Sequence, residues 1–419
     1  MASTKKAAEK AAGSVVGKRK ALSAPQINSS KKPKIMASST DPLRQPHYRA
    51  QEAEENGIVL RKFYPPEMNN ARAQAYNADQ LPRPIELLEA ALKETAKVRA
   101  KIDVKDAVAH WFKWDLRTAD NKALHFASQK AQEKGVPLIC MYIVSPQDFE
   151  AHITAPVRVD FALRTLEVLK ADLDKLNIPL YIETVEKRKA IPGRVLELLR
   201  EWGASHLFCN VEYEVDELRR EARMVRSFLE NGIAMDVTHD TCVVSPGELQ
   251  SGTGKQYSVY TPWYSAWVSY IHKNIHTLDL FDPPVSNPET ARKKYAKLFD
   301  CKIPEALENK KLTDEEKKRF RSLWPPGEHE AYERLQKFLE KRIASYGEKR
   351  NFPADPATSN ISVHLAAGTL SARTAIHAAR ERNTSNKLNA GVSGIQIWIS
   401  EVAWRDFYKH VLAHWPYVW

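Results

Sequence analysis

Ala107-Val108-Ala109-His110-Trp111-Phe112 is a nearly unbroken apolar run of strand length, and its repetition along the next 130 or so residues decides the fold. Further strand-like runs are predicted at 137–144, 179–185, 206–211 and 235–239. Helical patterns stand between them at about 120–134, 156–176, 192–202 and 215–231, the last closed by Asn231-Gly232 as a C-cap. Strand, helix, strand at this spacing predicts parallel strands with helical crossovers, hence a doubly wound α/β domain over 105–241. Such sheets bind ligands beyond the carboxyl ends of their strands.

Outward from this core, residues 51–104 read as an extension punctuated by Tyr64-Pro65-Pro66 and Leu81-Pro82-Arg83-Pro84, with a helix predicted from Ile85 to Arg99. Residues 242–312 read as an irregular inter-domain connector with few periodic runs. From 313 to 419 the pattern is helical, at 314–320, 328–345, 364–381 and 395–414, which predicts a second, all-α domain.

The chain has 419 residues and a formal charge of +11, but residues 1–50 hold eleven Lys/Arg against two Asp/Glu, so +9 of it belongs to the tail. A nucleic-acid surface on the remainder must therefore be a local patch. The tail, rich in Ala, Ser, Lys and Pro without hydrophobic periodicity, is expected to be disordered. Its clusters Lys18-Arg19-Lys20 and Lys31-Lys32-Pro33-Lys34 are ten residues apart, the spacing of a bipartite signal read by a nuclear-import carrier. Met36 follows the second cluster, and a product starting there could serve mitochondria. Cys140, Cys209, Cys242 and Cys301 form no CxxC pair, which argues against a zinc site or disulfide framework and fits a reducing compartment. No metal is expected. No apolar run of about 18 residues is present, so no membrane-spanning helix is expected.

Common nucleotide fingerprints are missing. The first strand is followed by Lys113-Trp114-Asp115-Leu116-Arg117 instead of GxGxxG, and Ser251-Gly252-Thr253-Gly254-Lys255 has Leu249 and Gln256 where a P-loop needs Gly and Ser or Thr. Two other stretches carry chemistry. Tyr346-Gly347-Glu348-Lys349-Arg350 precedes Thr358-Ser359-Asn360-Ile361-Ser362, hydroxyls grouped at a predicted helix N-terminus, where orphan N–H donors favour phosphate oxygens. Simple N-capping would use the same residues. In Trp398-Ile399-Ser400-Glu401-Val402-Ala403-Trp404-Arg405-Asp406-Phe407-Tyr408, helical spacing places Trp398, Glu401, Arg405 and Tyr408 within a sector of roughly 80°, with Trp404 about 40° beyond it. Rings, a carboxylate and a guanidinium on one face suit a flat, partly polar ligand such as a flavin or nucleobase. An aromatic-rich core helix with one Glu-Arg pair is the other reading.

In order along 107–419, these residues resemble the photolyase/cryptochrome flavoproteins, and within them the class I cyclobutane pyrimidine dimer photolyases. The resemblance runs through Trp111-Phe112-x-x-Asp115-Leu116-Arg117-x-x-Asp120-Asn121-x-Ala123-Leu124, Tyr213-Glu214-Val215-Asp216-Glu217, Tyr257-x-Val259-Tyr260-Thr261-Pro262, Phe352-Pro353, Thr358–Ser362, Ala367-Gly368-x-Leu370-Ser371 and Trp398–Tyr408.

The resemblance implies a Rossmann-like antenna-binding domain and an all-α FAD-binding domain. Tyr346, Thr358, Ser359, Asn360, Ile361 and Ser362 are expected along the pyrophosphate and ribitol of FAD, with Trp398 and Arg405 also facing it. Glu401 and Trp404 resemble the pair that receives a flipped-out dimer, Glu401 at a pyrimidine edge and Trp404 stacked on the bases. Arg350 resembles an arginine that grips phosphates beside the lesion, and Tyr408 is placed with it on the DNA side. His152, Asp216 and Glu217 match positions contacting a folate antenna. The folate binders have Asn where this chain has Asp216, and a further folate-contacting cysteine where it has Trp419, so methenyltetrahydrofolate is placed only slightly ahead of a deazaflavin. The implied activity is light-driven repair of UV-damaged DNA in the nucleus, by a monomer. A cryptochrome-type photoreceptor and a six-four photolyase are the alternatives.

Family members continue beyond the position of Trp419 with the rest of the flavin pocket and a tryptophan relay. The chain is thus expected to be a C-terminally truncated fragment that binds FAD weakly and repairs nothing, although its full-length parent would do both.

Overall fold

The computed structural model describes residues 55–56, 61–352 and 354–418. The basic clusters of the tail, Met36, Pro353 and Trp419 lie outside the described residues. Residues from Ala50 onward form one compact unit.

In chain order the main elements are α1 (Pro84–Arg99), β1 (Ala107–Phe112), α2 (Lys122–Lys134), β2 (Leu138–Val144), α3 (Pro156–Lys175), β3 (Leu180–Thr184), α4 (Ile191–Glu201), β4 (Ala204–Asn210), α5 (Val215–Glu230) and β5 (Ala234–Thr238). They are followed by α6 (Tyr260–Lys273), α7 (Asp314–Leu323), α8 (Glu328–Lys341), α9 (Ser362–Ala367), α10 (Ala372–Glu381) and α11 (Ser393–His414). The five strands make one parallel sheet in the order β3-β2-β1-β4-β5, with Val108 opposite Leu138 and His206 opposite Ala234. Every residue of β1, β2 and β4 is buried, as expected of central parallel strands covered on both faces. The predicted doubly wound domain and the helical domain are both present, and each predicted strand and crossover helix of the first lies within two residues of its expected place. Asn231 caps α5 and Gly232 adopts φ +72°, the left-handed turn that closes the helix.

Three expectations need correction. Residues 242–312 contain α6, a 14-residue helix whose Trp263 and Trp267 are fully buried. Its aromatic positions 260, 263, 264 and 267 have helical spacing, and Pro262 is tolerated because it falls in the first turn, where an N–H would have no helical acceptor. The segment 364–381 is two helices. Gly368 at φ +73° ends α9, and Ser371 starts α10 by accepting a bond from the Thr374 N–H at 2.8 Å. The segment 328–345 stops as an α-helix at Lys341 and finishes as a tight turn over Ile343–Ser345.

Gly368 also brings the two layers together. A Cβ there would sit 2.2 Å from the Trp114 carbonyl oxygen, so only glycine lets α9 approach the loop that follows β1. Across this contact the Leu116 N–H donates to the Ala367 carbonyl and Arg117 donates to the Gly368 carbonyl at 3.0 Å. Beside it lies a buried charge cluster: Arg373 bonds both Asp120 (2.7 Å) and Asp240 (2.6 Å), and Arg117 bonds Asp240. Four charges this deep are compatible with folding only because each carboxylate is met by a guanidinium.

Helix α11 crosses the helical layer. The Asp406 carboxylate accepts from the Val243 N–H (2.8 Å), the Val244 N–H (3.3 Å) and the Trp267 indole (3.2 Å), which pins α11 to both the connector and α6. One turn on, Trp263 donates to His410 Nδ1 at 3.3 Å, while the ring's Nε2 lies 2.8 Å from the Val244 carbonyl. That pattern requires a neutral imidazole protonated on Nε2, and burial holds its pKa down at about 4.

Candidate active site

A cleft of about 510 Å³ opens where the sheet meets the helical layer. Its sheet side is built from Trp114 after β1, Glu212 and Glu214 after β4, and Thr241 after β5. All follow carboxyl ends of strands, and β1 and β4 are the neighbours at which the winding direction reverses, the place where open α/β sheets bind ligands. Its other side brings together Tyr346, Ser359, Ile361, Ser362, Trp398, Glu401 and Arg405. Seven of the twelve positions expected around flavin and lesion thus converge on one cavity from three separate segments.

The other five do not line it. Thr358 and Asn360 are exposed on the turn before α9, Thr358 Oγ1 donating to Asn360 Oδ1 at 3.1 Å, and Asn360 has φ +54°. Helix α9 is only six residues long, so the hydroxyls, more than a helix dipole, would carry anion binding. Arg350 stands at the rim, bonded to Glu401. Trp404 does not line the cleft. Its ring is stacked on Tyr260, centroids 3.6 Å apart and planes within 9°. Tyr408, 62% exposed, tilts against Trp404 at 5.6 Å.

Trp398 is 2% exposed and packs against Phe338 at 5.4 Å, turning its remaining surface to the cleft. Arg405 donates to the Thr241 and Leu365 carbonyls. One turn further, Lys409 meets Glu214 at 2.8 Å; burial works against the Glu214 carboxylate, but the Lys409 charge and bond bring its pKa down to about 2. Lys409 was legible as the next helical position after Glu401 and Arg405. Arg158, whose guanidinium lies 4.1 Å over the Trp114 ring, was not. Nothing in the local sequence of α3 marks it, because its partner comes from the loop after β1. Arg158, Arg405 and Lys409 make the cleft suited to phosphate oxygens, Ser359 and Ser362 add hydroxyls, and Trp398 and Trp114 offer aromatic surface. These are the groups that an FAD needs.

His152, Asp216 and Glu217 also come together; of the three, His152 lines a smaller cavity of about 50 Å³ that shares Trp114 and Glu212 with the main cleft. His152 Nε2 lies 3.3 Å from Glu217, and Arg188 bonds both Asp216 and Glu217. Burial, then the bond to Asp216, pushes Glu217 up to about 8; burial opposes His152, but Glu217 and Asp216 raise it to about 9. Asp148 joins this group within ligand reach of His152 and Glu217, yet Arg188 and Arg220 already face these carboxylates and repel a cation. Glu217 and Asp216 bond one another, the raised Glu217 carboxyl holding the proton and Asp216 accepting it.

Residues 108–285 match the family model described as DNA photolyase. A deoxyribodipyrimidine photo-lyase of Neurospora crassa is 62% identical over 384 residues, 91% of this chain and 62% of that protein. Residues 108–285 thus carry the DNA photolyase pattern, and most of the chain is similar to a deoxyribodipyrimidine photo-lyase. A mitochondrial deoxyribodipyrimidine photo-lyase of Saccharomyces cerevisiae is 27% identical, over 87% of this chain and 66% of its own. Among solved structures, a class III photolyase of Agrobacterium tumefaciens aligns with TM-score 0.59 and 25% identity, covering 74% of this chain and 59% of the photolyase. The chain spans about three fifths of the length of the Neurospora relative.

Proposed function

We propose that the chain serves the light-driven splitting of cyclobutane pyrimidine dimers in UV-damaged DNA, with FAD in the main cleft. The observation that carries this reading is the convergence of Tyr346, Ser359, Ser362, Trp398, Glu401 and Arg405 on one cavity at the switch point of the sheet. Reduced FAD, when bound and illuminated, supplies the electron that opens the cyclobutane ring and receives it back. The chain's own groups bind, orient and exclude water. Ser359, Ser362 and Arg405 hold phosphate and ribitol oxygens, with Thr358 and Asn360 beside Ser359, while Trp398 and Ile361 wall the cofactor.

On the DNA side, Arg350 grips a phosphate, Glu401 bonds a pyrimidine edge, and Trp404 stacks on the flipped bases, with Tyr408 beside it. Flipping costs a few kcal/mol, least at a lesion that pairs badly, and stacking at about 1–3 kcal/mol per base offsets it. His152, Asp216 and Glu217 bind the antenna, with methenyltetrahydrofolate slightly ahead of a deazaflavin because these positions match those that contact folate. The basic tail engages a nuclear-import carrier, and the mitochondrial yeast relative makes a second, mitochondrial destination reasonable.

The test is to express the complete gene, reduce the flavin of its product, illuminate an oligonucleotide with one thymine dimer, and measure restored thymines against a dark control. Loss of dimers in light alone is expected. Equal dimer content in light and dark would overturn the proposal.

A further inference from the structure

Trp263, Trp267 and Trp398 are fully buried, whereas Trp404 in the same aromatic cluster is left partly exposed. A ring used only as core filler would be expected inside with the others. Tyr260 stacks on one of its faces, near-parallel at 3.6 Å, and Phe407 meets it edge-on at 5.6 Å. Tyr260 is itself fixed at both ends. Its hydroxyl donates to the Ser400 carbonyl at 2.7 Å and lies 2.8 Å from Ser400 Oγ, one turn before Trp404 on α11. Tyr260 also stacks with Tyr264 (5.5 Å), which stacks in turn with the buried Trp267 (5.9 Å), whose indole is held by Asp406. Rings in such contact hold one another in a single orientation.

We propose that Tyr260 is a positioning residue for lesion recognition: it clamps the Trp404 indole in the orientation that meets a flipped pyrimidine pair, so that the ring is preorganised before DNA arrives. The inference rests on the reading of Trp404 as the lesion-stacking ring. An indole free to rotate would have to be ordered at the moment of binding, and that lost freedom would be subtracted from affinity for the dimer. The affinity for undamaged duplex, which places no base against Trp404, would not change.

The test uses the full chain and a fluorescent duplex with or without a single thymine dimer, titrated at several salt concentrations, with circular dichroism of each variant. Tyr260→Phe keeps the ring and is expected to retain the dimer-to-undamaged affinity ratio within about twofold. Tyr260→Met and Tyr260→Leu are expected to lose about tenfold in that ratio, with undamaged-DNA affinity and salt slope unchanged. Trp404→Ala is run beside them. If Trp404→Ala loses discrimination and Tyr260→Met does not, Tyr260 does not position the ring and this inference alone fails. If Trp404→Ala discriminates like wild type, the reading of Trp404 fails and the inference with it. Tyr260→Phe behaving as badly as Tyr260→Met would assign the effect to the Ser400 bond and overturn the stacking argument. Unfolding of both Tyr260→Met and Tyr260→Leu, with Tyr260→Phe intact, would make Tyr260 a core residue and overturn it also.

Discussion

Arg350 and Glu401, 51 residues apart in sequence, close on each other at the rim of the cleft. Their side chains are 35% and 40% exposed, and an ion pair that open to water is worth at most about 1 kcal/mol. It is therefore easily exchanged. A DNA phosphate can take Arg350, and the Glu401 carboxylate is then released to a pyrimidine edge.

The two partners should separate in binding experiments. Arg350→Ala is expected to weaken damaged and undamaged DNA alike and to lower the salt slope by about 1. Glu401→Gln is expected to leave undamaged DNA unaffected and to lower dimer affinity by about 1–2 kcal/mol, one charge-assisted bond replaced by a neutral one. Fluorescence anisotropy across a salt series checks both; identical effects of the two substitutions would refute the division of roles.

Asp240 meets two guanidiniums in the interior. Asp240→Ala leaves Arg117 short of a partner and Arg373 with Asp120 alone, and breaking a buried pair in this way costs about 3–5 kcal/mol. Denaturant unfolding of the variant should show that loss, while Asp240→Asn, which keeps an acceptor but no charge, should lose less.

Gly368→Ala forces a Cβ against the Trp114 carbonyl at a left-handed backbone position. A destabilisation of about 1–3 kcal/mol is expected. Trp114 lines the cleft, so a loss of bound flavin should accompany the lowered melting temperature.

Stability should peak near neutral pH. Burial lowers His110, His239, His364, His410 and His414 to about 4. Between that value and the unfolded value of about 6.5 the unfolded chain binds more protons, so stability falls as the pH drops through this window. His152, raised to about 9, has the opposite sign: its contribution is complete below about 6.5 and is lost as pH rises toward 9. Thermal melts from about pH 4 to 9 should show a maximum near about 6.5. His152→Gln should make the alkaline fall shallower without removing it, because Glu217, raised to about 8, also loses stability as the pH rises, and should leave the acid side as it was.

How much was legible in advance differs between fold and site. The parallel sheet could be read because its strands are short apolar runs separated by amphipathic stretches, a local pattern. Helix α6 could not be placed, since Thr261-Pro262 looked like loop punctuation although Pro262 sits in a first turn that tolerates it. The break at Gly368 is hidden because helical periodicity on either side reads through it. At the site, the residues of α11 and the 346–362 segment were recognisable by their order, but the partners they would meet were not.

The sequence by itself determined the α/β-plus-helical architecture and the grouping of Trp398, Glu401, Arg405 and Tyr408 on one helical face, because period and spacing are local properties of a chain. Only the tertiary structure decided that Trp404 lies flat on Tyr260, that Arg350 closes on Glu401, and that Arg158 and Lys409 complete the cleft. These are contacts between segments far apart in the chain, with Arg158 on α3 and Lys409 on α11. They follow from how Gly368 and Asp406 dock the layers, which no single stretch of sequence displays.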